Sequence, residues 1–66
     1  MSQQVTLTAL VPGDVVRQHG RARTVATVDT FRDQQRRIVT TVEFMDAGAH
    51  TGPADSLIEL MKAGGL

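Results

Sequence analysis

The sequence predicts an all-β domain in which five short strands close one small barrel, and three observations carry that expectation. β-Branched residues crowd positions 15–18, 21–31 and 36–45, where a helix would lose side-chain freedom at most positions. Turn-forming residues punctuate those runs at Pro12-Gly13-Asp14, at His19-Gly20 and in the Gly- and Ala-rich stretch 46–53. Finally, Ile38, Val42 and Phe44 fall on one face with Thr40 between them, the period of a half-buried strand. At 66 residues the chain makes one domain. It buries only about 60% of the surface its unfolded form exposes.

Each element follows from local chemistry. Residues 1–10 alternate polar positions with Val5 and Leu7, which suits an N-terminal arm or edge strand ahead of a domain spanning 11–62. Pro12 presets the dihedral of a turn, Gly13 tolerates positive φ, and the chain enters a first strand at Val15-Val16-Arg17-Gln18. Gly20 ends it. Residues 21–31 form the next strand, and because Val25 and Val28 stand three apart, either a bulge intervenes or both faces are partly covered. Arg32-Asp33-Gln34-Gln35 has hairpin-loop length, so residues 21–45 read as one long hairpin in which Arg36 pairs close to Phe31. Stretch 46–53 leaves room for a very short strand around His50. Residues 54–62 are compatible with a brief helix begun by Pro53 and Asp55, or with a helical turn before a closing strand that points Leu57, Ile58 and Leu60 inward. Residues 63–66 read as a flexible tail.

Composition removes several classes of function. With no Cys and two His, disulfides and the usual structural zinc sites are excluded, and a cytoplasmic location is expected. No apolar run is long enough for a transmembrane helix or a signal-peptide core. No cofactor is expected. Formal net charge is zero, so no global attraction to nucleic acid or membrane operates. The charge is nonetheless segregated. Residues 17–37 hold all six arginines against Asp29 and Asp33, a local +4, while Lys62 faces Asp14, Glu43, Asp46, Asp55 and Glu59 elsewhere, a local −4.

The layout of Gly13-Asp14-Val15-Val16, Gly20, a long strand with Val25 and Val28, a polar hairpin, Val42-Glu43-Phe44 with Asp46 and Gly48, and a terminal Leu57-Ile58-Glu59-Leu60 resembles the small SH3-like barrels of the KOW and Tudor type. The resemblance covers roughly residues 11 to 61 and implies a barrel that binds a partner. Two departures bear on which partner. KOW segments carry a second glycine where this chain has Ala22-Arg23-Thr24-Val25. Tudor-like modules read methylated side chains through an aromatic cage, which a chain with no Trp, no Tyr and only Phe31 and Phe44 cannot assemble.

Candidate chemistry is sparse. Ser56 with His50 and Asp46 or Asp55 is the only drawable triad, and polar neighbours in a turn region satisfy backbone donors more simply. His19 and His50 with Asp14, Asp46 or Asp55 would ligate a metal only if their two turns met, and the spacing matches no finger or helical motif. No enzyme is expected. The arginines give the best signal: Arg17, Arg21, Arg23, Arg32, Arg36 and Arg37 offer guanidinium forks to phosphates from a twisted hairpin. Against that stand neutrality, the shortage of exposed aromatics for base stacking, and the alternative that these residues form cross-strand ion pairs with acids such as Glu43. With the loop at 32–35 the cluster divides into two patches. A nucleic-acid contact and a protein adaptor or homo-oligomer therefore both remain open, with no membrane partner.

Overall fold

The computed structural model describes residues 3–64, and within them the chain is all-β, about 61% strand. Six strands form: β1 (Gln3–Thr6), β2 (Val15–Gln18), β3 (Arg21–Arg32), β4 (Ile38–Phe44), β5 (Ala49–Pro53) and β6 (Leu57–Lys62), with one 3-10 turn at Leu7–Ala9. They make a single antiparallel sheet in the order β1-β6-β2-β3-β4-β5.

The five strands expected within 11–62 form, and residues 3–6 take the edge-strand alternative by pairing with β6, which makes six. One expectation is corrected here: the sheet is open, with β1 and β5 as its two ends, rather than a closed barrel. Residues 57–62 form a strand and not a helix, yet that strand lies between β1 and β2 and closes nothing. No helix among the described residues is long and apolar enough to cross a membrane.

The turns follow their sequences. Pro12 and Gly13 occupy the centre of a turn closed by Asp14 N donating to Val11 O at 3.1 Å, with Gly13 at φ 96°, the type II pattern. His19 and Gly20 both hold positive φ, the type I′ arrangement whose twist suits a two-residue hairpin. The β3–β4 and β4–β5 loops share one hydrogen-bond pattern. In the first, Arg36 N donates to Asp33 O and Asp33 N to Arg37 O; in the second, Ala47 N donates to Phe44 O and Phe44 N to Gly48 O. Each is a turn followed by a left-handed residue, Arg36 at φ 65° and Ala47 at φ 81°, positions glycine would fill without strain.

A bulge decides how β3 serves both halves of the sheet. Its register against β4 shifts between Val25 and Thr27, leaving Ala26 as the extra residue. Consequently Val25 and Val28 both turn inward, the first of the two alternatives that their spacing allowed. Leu7, Leu10, Val16, Val25, Val42 and Phe44 are the buried apolar core, with Val5, Val28, Ile58 and Leu60 packed against it. Full burial of such a side chain stabilises the fold by about 1.5–3 kcal/mol. Thr40 is fully buried among them, its hydroxyl 3.0 Å from Thr30 Oγ1. Leu57 and Ile38, expected to point inward, are exposed: Leu57 because alternation with the inward Ile58 puts it on the outer face of β6, and Ile38 because it opens β4 beyond the reach of the core.

Segments 3–10 and 11–62 share that core, since Leu7 and Leu10 are buried in it. Asp14, only 5% exposed, accepts from Val11 N through Oδ2 and from Gly64 N through Oδ1, which anchors the chain just after β6. The remainder of the expected tail, Gly65 and Leu66, lies outside the described residues, as do Met1 and Ser2.

Candidate nucleic-acid interface

The six arginines separate into two groups at opposite ends of β3. Arg17, Arg21 and Arg23 flank the β2–β3 turn, whereas Arg32 ends β3 and Arg36 and Arg37 lie in the loop beyond it. The division into two patches follows from the hairpin register. That register differs from expectation in one respect: Phe31 is opposite Val39 and Arg32 opposite Ile38, so Arg36 has no partner strand residue and occupies the left-handed corner of the loop.

Of the first group only Arg23 is engaged in the fold, and Arg21 is exposed with no side-chain hydrogen bond or ion pair among the described residues. Arg23, with its side chain 20% exposed, donates to Gln18 Oε1 at 2.9 Å, to Asp46 Oδ1 at 3.1 Å and to the Ala47 carbonyl at 2.6 Å. Its guanidinium carbon also lies 4.1 Å from the centroid of the Phe44 ring. Three of its five N–H donors are thus taken, including both on Nη2. The hydrogen bond from Arg23 and the nearby positive charge hold the Asp46 carboxyl below its ordinary value. Arg17 Nε approaches Glu59 at 3.6 Å. Glu43, the acid expected to pair with Arg21 or Arg23, instead accepts from Thr27 Oγ1 at 2.7 Å, because the bulge puts Thr27 opposite it.

The second group is presented outward. Asp33 organises the loop: its Oδ1 accepts from Gln35 N at 2.9 Å and Arg37 N at 2.8 Å. Its Oδ2 stands 3.4 Å from Arg37 Nε, and Arg37 also donates to Gln35 Oε1. Arg37 is thus oriented by its own loop while its side chain stays 71% exposed. Arg32 and Arg36 are exposed and make no side-chain hydrogen bond or ion pair among the described residues. Beneath the tip lie two shallow open grooves that share Arg37, Ile38 and Pro53, one bounded by Asp33, Val39 and Gly52 and the other by Thr8, Ala54 and Asp55.

An aromatic completes this end. Phe31 is 48% exposed, correcting the expectation that no aromatic is available for stacking, whereas Phe44 is buried. The signal was present in the sequence: once Ala26 is bulged and Val28 points inward, alternation sends Phe31 outward.

The remaining candidates stay apart. His19 lies in the β2–β3 turn and His50 on β5 opposite Val42, and no group of three His, Asp or Glu side chains gathers among the described residues. His50 and Ser56 are neighbours across Gly52, where an added Cβ would sit 3.5 Å from His50 Nε2 and 3.8 Å from Ser56 Oγ. No hydrogen bond joins the two side chains among the described residues. Comparison with family models, curated proteins and solved structures finds no match to this chain.

Proposed function

We propose that the domain is a non-enzymatic binding module of the cytoplasm that contacts nucleic-acid phosphates through the tip of the β3–β4 hairpin. The observation that carries this reading is the gathering of Arg32, Arg36 and Arg37 on one exposed tip where Asp33 is the only acid of the loop and is engaged by loop donors. Arginine forks bind phosphate oxygens in pairs, and two of these three have no competing carboxylate. Arg17, Arg21 and Arg23 are assigned a smaller part, since Arg23 is committed to the fold. The kinship with SH3-like modules belongs to the same proposal, supported by the Gly13-Asp14 turn that feeds β2 and by the antiparallel meander after it.

The test is a salt titration of binding to a short labelled oligonucleotide. Three phosphate contacts on a single strand give a slope of about −2 in log affinity against log salt. The double variant Arg36→Ala, Arg37→Ala should flatten that slope and weaken binding at low salt. An affinity indifferent to both salt and these substitutions removes the reading.

A protein adaptor or homo-oligomer is the second reading, favoured by the two free sheet edges, β1 and β5, which offer unpaired backbone groups to another strand. A solution mass above one chain, or a partner retained after nuclease treatment, would favour it.

A further inference from the structure

We propose that Phe31, Val39 and Pro53 form a stacking platform for an unpaired base, which makes the nucleic acid held at the hairpin tip single-stranded. This inference rests on the phosphate reading above. The three residues come from three adjacent strands and lie directly opposite one another, Phe31 across from Val39 and Val39 across from Pro53. Neighbouring strands are about 4.8 Å apart, so the row extends roughly 10 Å across the sheet, wide enough for a nucleobase.

The row has chemistry of opposite sign on its two sides. Toward the tip stands Arg37, which lines the groove with Val39, Pro53 and Asp33, the Asp33 carboxylate being taken up by the Gln35 and Arg37 amides and by Arg37 Nε while the Arg37 side chain stays 71% exposed. Away from the tip, the next row on the same face is Asp29, Thr41 and Thr51, with the two threonine hydroxyls 2.8 Å from each other. A phosphate is attracted on the first side and repelled by Asp29 on the second. This fixes an orientation in which the sugar-phosphate chain passes Arg37 at the tip, Arg32 being on the other face opposite Ile38, and a base lies back over the row. A duplex has its base faces covered by neighbouring pairs and offers none to such a surface. A single strand offers one at every nucleotide.

Three probes of equal length separate the possibilities, the last with twice the phosphates of the other two: a ten-nucleotide oligothymidylate, its abasic counterpart and a ten-base-pair duplex, each titrated at low salt. The oligothymidylate should bind roughly 5- to 150-fold more tightly than the abasic strand, the range of one stacked base. Phe31→Ala should reduce it to the abasic level and leave abasic binding unchanged. Because the chain has no Trp, Phe31→Trp gives a single indole whose emission should be quenched by oligothymidylate and not by the abasic strand. Equal affinity for the oligothymidylate and the abasic strand, unaltered by Phe31→Ala, would overturn the platform while the phosphate contact stood. Preference for the duplex over the oligothymidylate that persists near physiological salt, where the duplex's extra charge counts least, would overturn it as well. Failure of all three probes to bind would defeat the phosphate reading itself, and this inference with it.

Discussion

Arg23 lies over the ring of Phe44, 4.1 Å from guanidinium carbon to centroid, and through this contact the start of β3 is fastened to the end of β4. The same side chain reaches Gln18 on β2 and the Ala47 carbonyl in the following loop.

Arg23→Ala should therefore cost about 1–3 kcal/mol of stability, from the lost cation–π contact and the hydrogen bonds to Gln18 and Ala47. Urea unfolding would show this as a lower midpoint. Arg23→Lys keeps the charge without the planar fork and should recover less than half of the loss. Oligonucleotide affinity should be unchanged in both, because Arg23 is at the opposite end of β3 from the tip.

Acid should weaken the same corner. The hydrogen bond from Arg23 holds the Asp46 carboxyl below its ordinary 3.8, so the unfolded chain binds this proton more readily than the folded one. The stabilisation is complete above that ordinary value and is lost as pH falls through the lowered one. Thermal midpoints of the parent should consequently fall more steeply between about pH 5 and about pH 2 than those of Asp46→Asn. Equal slopes would show that other carboxylates govern the decline.

Arg36→Gly should separate stability from binding. The residue holds φ 65°, and glycine relieves about 1 kcal/mol of strain there while returning part of it as chain entropy. A net gain of a few tenths to about 1 kcal/mol is expected together with weaker oligonucleotide binding. Ala47→Gly, at the matching position of the other loop, should raise stability with no change in binding.

Asp14→Ala should cost about 1–3 kcal/mol, because the Val11 and Gly64 amides would both lose their acceptor. Gly64→Ala tests the C-terminal half of this contact. A Cβ there would collide with the backbone of Gly13, so the segment after β6 should detach. Amide exchange should then quicken at residues 62–64 while the core amides keep their protection.

Most strands were legible because β-branched runs and glycine turns mark them, and even the Ala26 bulge was one of two options left by the spacing of Val25 and Val28. The β3–β4 register was not legible. A loop with a left-handed corner is ordinarily signalled by glycine, and here Arg36 fills that corner, so the run from Arg36 read as strand. The position of β6 was hidden for a different reason: residues 3–6 carry too little pattern to announce that they would take one side of it. In the arginine cluster, six similar side chains in one segment look equivalent. Only the placement of Phe44 and Asp46 shows that Arg23 is spent on the fold and Arg36 is not.

The pairing of β1 with β6 joins segments from near the two ends of the described chain, Gln3 opposite Leu60 and Thr6 opposite Leu57. Three of the other four ladders link strands adjacent in sequence and can form while the rest of the chain is loose, and the fourth, β2–β6, joins Arg17 to Glu59 across a somewhat shorter span. The β1–β6 ladder closes the longest loop and is rewarded last, which sets it late in folding and early in opening. Leu7 and Leu10 follow β1 directly, so release of that one edge strand uncovers two of the six buried apolar residues. The order in which this protein comes apart thus begins at the strand with the least sequence signal.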